Sequence, residues 1–120
     1  MSDACFCDYD APEFLSRRIV TANKQHKCDD CYRAIQPGER YEYTFGKWDG
    51  EVDRFKTCAR CLDLREYVQA HVPCLCWAYG NIIDDCYNAV DAYAHEAPGL
   101  KFGYWRRRIA IDRAPRITKP

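Results

Sequence analysis

Two C-x-x-C pairs, Cys28/Cys31 and Cys58/Cys61, constrain this chain more than any other feature. Residues 32–57 separate them, 26 positions in all. A C-x-x-C loop presents two sulfurs from one tight turn, so two loops complete a tetrahedron of thiolates about 2.3 Å from a zinc ion. One pair alone fits a redox motif equally well; two pairs around a hairpin-length insert point to metal. The other reading of these residues is two redox or buried cysteine pairs.

The insert has hairpin patterning. Ile35-Gln36-Pro37-Gly38-Glu39 carries the Pro and Gly of a turn. Tyr41, Tyr43 and Phe45 alternate with Glu42 and Thr44, a strand period, and Asp49-Gly50 marks a tight turn before Val52, Phe55 and Thr57. Beyond Cys58, the positions Cys61, Leu64, Val68 and Val72 recur every three or four residues and predict a helix. This order resembles the treble-clef zinc finger: knuckle, β-hairpin, then a second knuckle opening a helix. The resemblance covers 26–72 and implies Cys28, Cys31, Cys58 and Cys61 as ligands of a structural zinc. His26, two residues before Cys28, reads as a neighbour of a sphere that four cysteines already fill.

A second cysteine pattern flanks the first. Cys5-Phe6-Cys7 near the start matches Cys74-Leu75-Cys76 after Pro73. Should the N-terminal arm fold back beside Pro73, Cys5, Cys7, Cys74 and Cys76 can hold a second ion; buried thiols or a disulfide are the alternatives. Nine cysteines in 120 residues would suit a secreted disulfide scaffold. The first residues, MSDACFCDYD, lack the basic start and apolar core of a signal peptide, and no apolar run nears the ~20 residues of a membrane span. The expectation is a cytoplasmic protein without membrane association.

The remaining segments complete the predicted α+β fold as a single domain over 1–120. Asp10, Pro12 and Glu13 resemble a helix start, and Arg18–Thr21 a strand. Asn81 is placed to cap an amphipathic helix with Asp84 and Asp85 in its first turn and a stripe of Ile83, Cys86, Val90, Tyr93 and Ala97. From Lys101 onward seven Lys/Arg face the single Asp112, although the chain's net charge is zero. Trp105, Ile109 and Ile111 suggest one face of a basic C-terminal strand, with a loose end beyond Pro115. Tyr104, Trp105, Arg106, Arg107, Arg108, Arg113 and Arg116 suit phosphate contact with base stacking, an acidic protein partner, or pairing with the acidic helix.

Nothing in the sequence assembles a catalytic set. Four cysteines leave no open metal position for water, and H-E-x-x-H and G-x-S-x-G are absent. HNH-type nucleases share the treble-clef scaffold, but their histidines belong on the hairpin and helix; here the helix offers only His71 at its far end. The whole chain also resembles small zinc-binding proteins of bacteriophages and prophages. The match lies in the order CxCDYD-x-PEF, H-x-C-x-x-C, I-x-P-G-E-x-Y-E-Y, G-x-W-x-G, F-K-T-C-x-x-C and P-C-x-C-W. It implies a phage protein in a bacterial cytoplasm that binds host machinery. The expected function is a non-enzymatic zinc-stabilised module engaging a protein or ribonucleoprotein, such as a host-defence complex, with Tyr41, Tyr43 or Trp48 as anchors. A nucleic-acid-binding accessory protein is the alternative, and an HNH-like nuclease the third reading.

Overall fold

The computed structural model describes Cys7 and residues 11–118. It is a small α+β structure of antiparallel sheets and three helices. Strand β1 (Phe14–Thr21) pairs with β4 (Arg40–Trp48), which pairs with β5 (Glu51–Cys58), giving the order β1-β4-β5. Two short strands, β2 (His26–Lys27) and β3 (Ala34–Ile35), form a separate ribbon around the first cysteine pair.

The hairpin follows its turn chemistry. Trp48 lies opposite Glu51, leaving Asp49 and Gly50 as a two-residue loop with φ of 51° and 82°. Positive φ at both centres matches the right-handed twist of the strands, and Asp-Gly tolerates it. Pro12 and Glu13 do not begin a helix; strand β1 follows them at once. Glu13 bonds to the hairpin instead: its N–H donates to the Lys47 carbonyl and its Oε1 accepts from Gly50 N–H. Asp10, the expected cap, lies outside the described residues.

Helix α1 (Ala59–His71) starts at Cys58, whose Sγ accepts from Cys61 N–H, and buries Cys61, Leu64 and Val68 as expected. Helix α2 (Ile82–Tyr93) buries Ile82, Cys86 and Val90. The basic segment is not a strand: Leu100–Asp112 is helix α3. Leu100, Tyr104 and Ile111 recur at helical spacing and are all buried, while Trp105 and Ile109, four apart, lie on the exposed side. Gly99, at φ 87°, turns the chain into the helix. Gly103 permits the close approach of α1, since a Cβ there would overlap the Tyr67 ring. Burying each large aliphatic of this three-helix core contributes roughly 1.5–3 kcal/mol.

The tail expected to be loose is held through Thr118. Pro115 accepts from Ala34 N–H, and the Gln25 side chain makes two bonds with the Thr118 backbone. No helix is long and apolar enough to cross a membrane among the described residues.

Candidate metal centre

The β2–β3 turn and the β5–α1 junction bring the four central sulfurs together. Cys28 and Cys31 come from the turn; Cys58 ends β5 and Cys61 lies in the first turn of α1. Cys28 Sγ is 3.9 Å from Cys61 Sγ, and Cys31 Sγ is 3.7 Å from Cys58 Sγ. All four sulfurs lie within 4.8 Å of one another. Sulfurs sharing one tetrahedral ion at the zinc–thiolate distance stand roughly 3.8 Å apart, so the spacing fits such an ion. Cys28, Cys58 and Cys61 are wholly buried and Cys31 is half-buried.

Backbone donors aim at the sulfurs, as anionic thiolates require. Asp30 N–H and Cys58 N–H both point to Cys28 Sγ at 3.4 Å. The sulfurs also perturb one another. The contact with Cys31, helped by that with Cys61, lowers the Cys28 thiol below its ordinary value, whereas contacts with Cys28, Cys31 and Cys58 push Cys61 up. Four clustered thiolates would repel one another, and a dication held among them would offset that charge.

The first turn is locked by neighbours that motif reading does not show. Asp29 N–H donates to the Lys56 carbonyl, while Lys56 N–H donates to Asp29 Oδ2 at 2.7 Å, fixing one knuckle against the strand that leads into the other. Asp30 Oδ1 accepts from Ile82 N–H at 2.9 Å. Burial pushes the Asp30 carboxyl up to about 6, and a dication on the adjacent sulfurs would act in the opposite direction. His26 takes no part in the sulfur group; its ring packs 5.4 Å from that of Tyr41.

A second group consists of Cys7, Cys74 and Cys76, whose sulfurs also lie within 4.8 Å of one another. Cys7 is bonded to Cys76 as a disulfide, and Cys74 Sγ is 3.7 Å from Cys76 Sγ. Cys5 lies outside the described residues. The fold thus brings Cys7 to Cys74 and Cys76, part of the grouping that the paired C-x-C motifs suggest. Both cysteine groups can hold a metal ion. Cys86 stays apart in the core, where burial raises its thiol to about 12.

The basic residues scatter over α3. Tyr104 is buried, Arg107 pairs with Asp63 at 3.2 Å over the Tyr67 ring, and Arg108 pairs with Asp112 at 3.2 Å. Lys101 pairs with Asp91 of α2, one instance of the expected pairing with the acidic helix. Trp105, Arg106, Arg113 and Arg116 remain exposed. Phe102 and Ile109, exposed at 69% and 45%, join them, and the alternation expected of a strand had concealed both. On the hairpin, Tyr41 is buried at 6% and is no anchor; Tyr43 and Trp48 are half-buried.

No known family model, curated protein or solved structure matches the chain.

Proposed function

We propose that this chain is a non-enzymatic, zinc-stabilised binding module that meets a partner protein through the exposed face of α3. The observation that carries this reading is a contiguous stripe. Phe102, Trp105, Arg106 and Ile109 recur at helical spacing on one face of α3, Arg113 follows at its C-terminal cap, and all are exposed. Arg106 lies 5.9 Å over the Phe102 ring, so the stripe mixes aromatic, aliphatic and cationic groups. Such composition suits the centre of a protein interface, where aromatic residues and Arg are enriched. Its positive charge favours an acidic surface on the partner.

Zinc is the ion that the donor set of Cys28, Cys31, Cys58 and Cys61 favours, because four soft thiolates in a tetrahedron select it over oxygen-seeking cations. Knuckle, hairpin and knuckle-helix follow one another as in a treble clef. With all positions of the ion filled by sulfur, the metal would serve the fold and not catalysis. The resemblance to small phage zinc-binding proteins supports a bacterial cytoplasm as the setting and a host complex as the target.

The second reading is nucleic-acid binding through Arg106, Arg113 and Arg116 beside Trp105. Against it, Lys101, Arg107 and Arg108 are already engaged by carboxylates. An HNH-like nuclease needs histidines at the metal; His71 instead packs 4.6 Å from the Tyr67 ring. A plasmid digestion assay with added divalent ions tests that third reading.

Capture from nuclease-treated bacterial lysate tests the first. A protein retained by the natural chain and lost with both Arg106→Glu and Ile109→Asp supports it; retention by both variants contradicts it. An electrophoretic shift that weakens steeply with salt and depends on Arg106 and Arg113 would favour nucleic acid.

A further inference from the structure

Alternation along β1, β4 and β5 sorts their residues by charge, because successive side chains point to opposite faces of a sheet. The face that carries Glu42, Thr44 and Trp48 also receives Glu51, Asp53 and Phe55 through the β4–β5 register. The rest of the chain covers it: the Tyr79 ring stacks 4.8 Å from that of Phe55, and Arg65 of α1 reaches Glu42. The opposite face takes no carboxylate from any of the three strands. There Arg18, Tyr43 and Lys56 form one row across the sheet, and Ser16, Phe45 and Arg54 the next. Phe14 and Lys47 continue it toward the hairpin turn.

The first knuckle closes the end of this face nearest the cysteines, where Tyr41 and Cys58 are buried and His26 packs on Tyr41. Beyond that end the face meets solvent. Phe14, Arg18 and Arg54 are exposed, and Tyr43, Phe45 and Lys56 are half-buried. Arg18 rests 5.7 Å over the Tyr43 ring and Arg54 5.1 Å over the Phe45 ring, which Phe14 meets edge to face at 5.9 Å. Among the described residues, no carboxylate lies within ion-pair distance of Arg18, Arg54 or Lys56, while Lys47 meets Glu13 at 3.9 Å at the rim.

We propose that this open sheet face binds single-stranded nucleic acid, with bases stacking on Phe14, Tyr43 and Phe45 and phosphates meeting Arg18, Arg54 and Lys56. An acidic peptide answers the charge alone. A nucleic-acid strand answers charge and rings together, since every base has a π face and every nucleotide a phosphate. Same-face neighbours on a strand stand roughly 6.7 Å apart, a step that successive bases of an extended strand can match. Each ring already has a cation beside it, placed for the phosphate of the base stacked there. A duplex keeps its bases stacked on one another and leaves the rings unused. The site lies apart from the α3 stripe, so it goes beyond the partner-binding reading and stands or falls separately.

The test is fluorescence anisotropy of the zinc-loaded full chain with labelled oligouridylate and oligothymidylate of about twelve nucleotides. Three neutralised phosphates give a slope of log K against log salt of about −2. Phe45→Leu, which keeps apolar bulk without a ring, and Arg54→Ala should each weaken binding about tenfold, and Arg54→Ala should also flatten the slope. Phe14→Leu, at an exposed ring, gives the same reading if Phe45→Leu disturbs folding, which zinc content and the unfolding midpoint report. Arg106→Glu on α3 should leave affinity unchanged. The proposal is overturned by absence of binding at low salt, by equal affinity for a duplex, or by binding that neither ring nor Arg54 substitution weakens. A poly-glutamate peptide that competes as well as unlabelled oligonucleotide at equal charge would make an acidic protein the occupant and overturn it too.

Discussion

Asp30 caps a helix that begins 52 residues later: its Oδ1 accepts the Ile82 N–H at 2.9 Å. Asn81, the neighbouring residue that a local reading selects as cap, makes no side-chain cap bond and turns to Asp85 instead. The turn holding Cys28 and Cys31 is thus fastened directly to α2, so ordering at the metal centre reaches the helical core.

Asp30→Ala should therefore cost about 1–2 kcal/mol, the usual loss of a helix cap. Asp30→Asn, which retains an acceptor, should cost less. Denaturant unfolding with zinc held in excess measures both. Equal stability of Asp30→Ala and the natural chain would remove the cap's role.

The buried pair of Glu42 and Arg65 gives a larger effect. Two bonds, 3.1 and 2.9 Å, join the guanidinium to both carboxylate oxygens, and both residues are over nine-tenths buried. Glu42→Gln leaves a buried cation without its counter-charge and should cost roughly 3–5 kcal/mol. Replacing both with hydrophobic residues of similar volume should cost less than either single change.

The same pair sets a pH dependence. Burial pushes the Glu42 carboxyl upward, but the Arg65 hydrogen bond and charge outweigh it and hold the value below the ordinary 4.5. A lowered folded value means the unfolded chain binds the proton more readily. The stabilisation is therefore present above 4.5 and disappears as pH falls through the lower folded value. Acid titration of unfolding free energy should show this loss in the natural chain and a shallower one in Glu42→Gln.

At the α1–α3 contact, Tyr67 Oη donates to the Leu100 carbonyl at 3.1 Å and its ring lies under Arg107. Gly103→Ala would force the ring aside and should cost about 1–3 kcal/mol. Adding Tyr67→Ala should make the second alanine nearly free, a coupling that a double-mutant cycle reads out. Additive costs would show that Gly103 does not face Tyr67.

Much of this fold is legible in the residues because its signals are local. Asp49-Gly50 sets the hairpin, and Cys58 through Val68 carry their own helical period. The four central cysteines gather as their spacings suggest; of the second expected group Cys7, Cys74 and Cys76 come together, while Cys5 lies outside the described residues. The features that escape are made by distant residues. Nothing near Asp30 announces Ile82, and nothing near Glu42 announces Arg65. The C-terminal segment misleads because Ile109 and Ile111 mimic strand alternation; the helical signal is Leu100, Tyr104 and Ile111 following Pro98-Gly99. That error also hid Phe102 and Ile109 on the exposed stripe.

Substitutions on that stripe should leave folding intact. Arg106→Glu and Ile109→Asp change exposed positions, so unfolding free energies should remain within about 0.5 kcal/mol of the natural chain. A large loss for either would show that the stripe is covered within this molecule.

X-ray absorption at the zinc edge, on a Cys76→Ser chain so that one ion is viewed, tests the metal centre most directly. Four sulfur neighbours at about 2.3 Å, with no lighter donor, are the expected result. A nitrogen or oxygen in the coordination sphere, or a folded chain that carries no metal, would contradict a closed sulfur cage as the foundation of this structure.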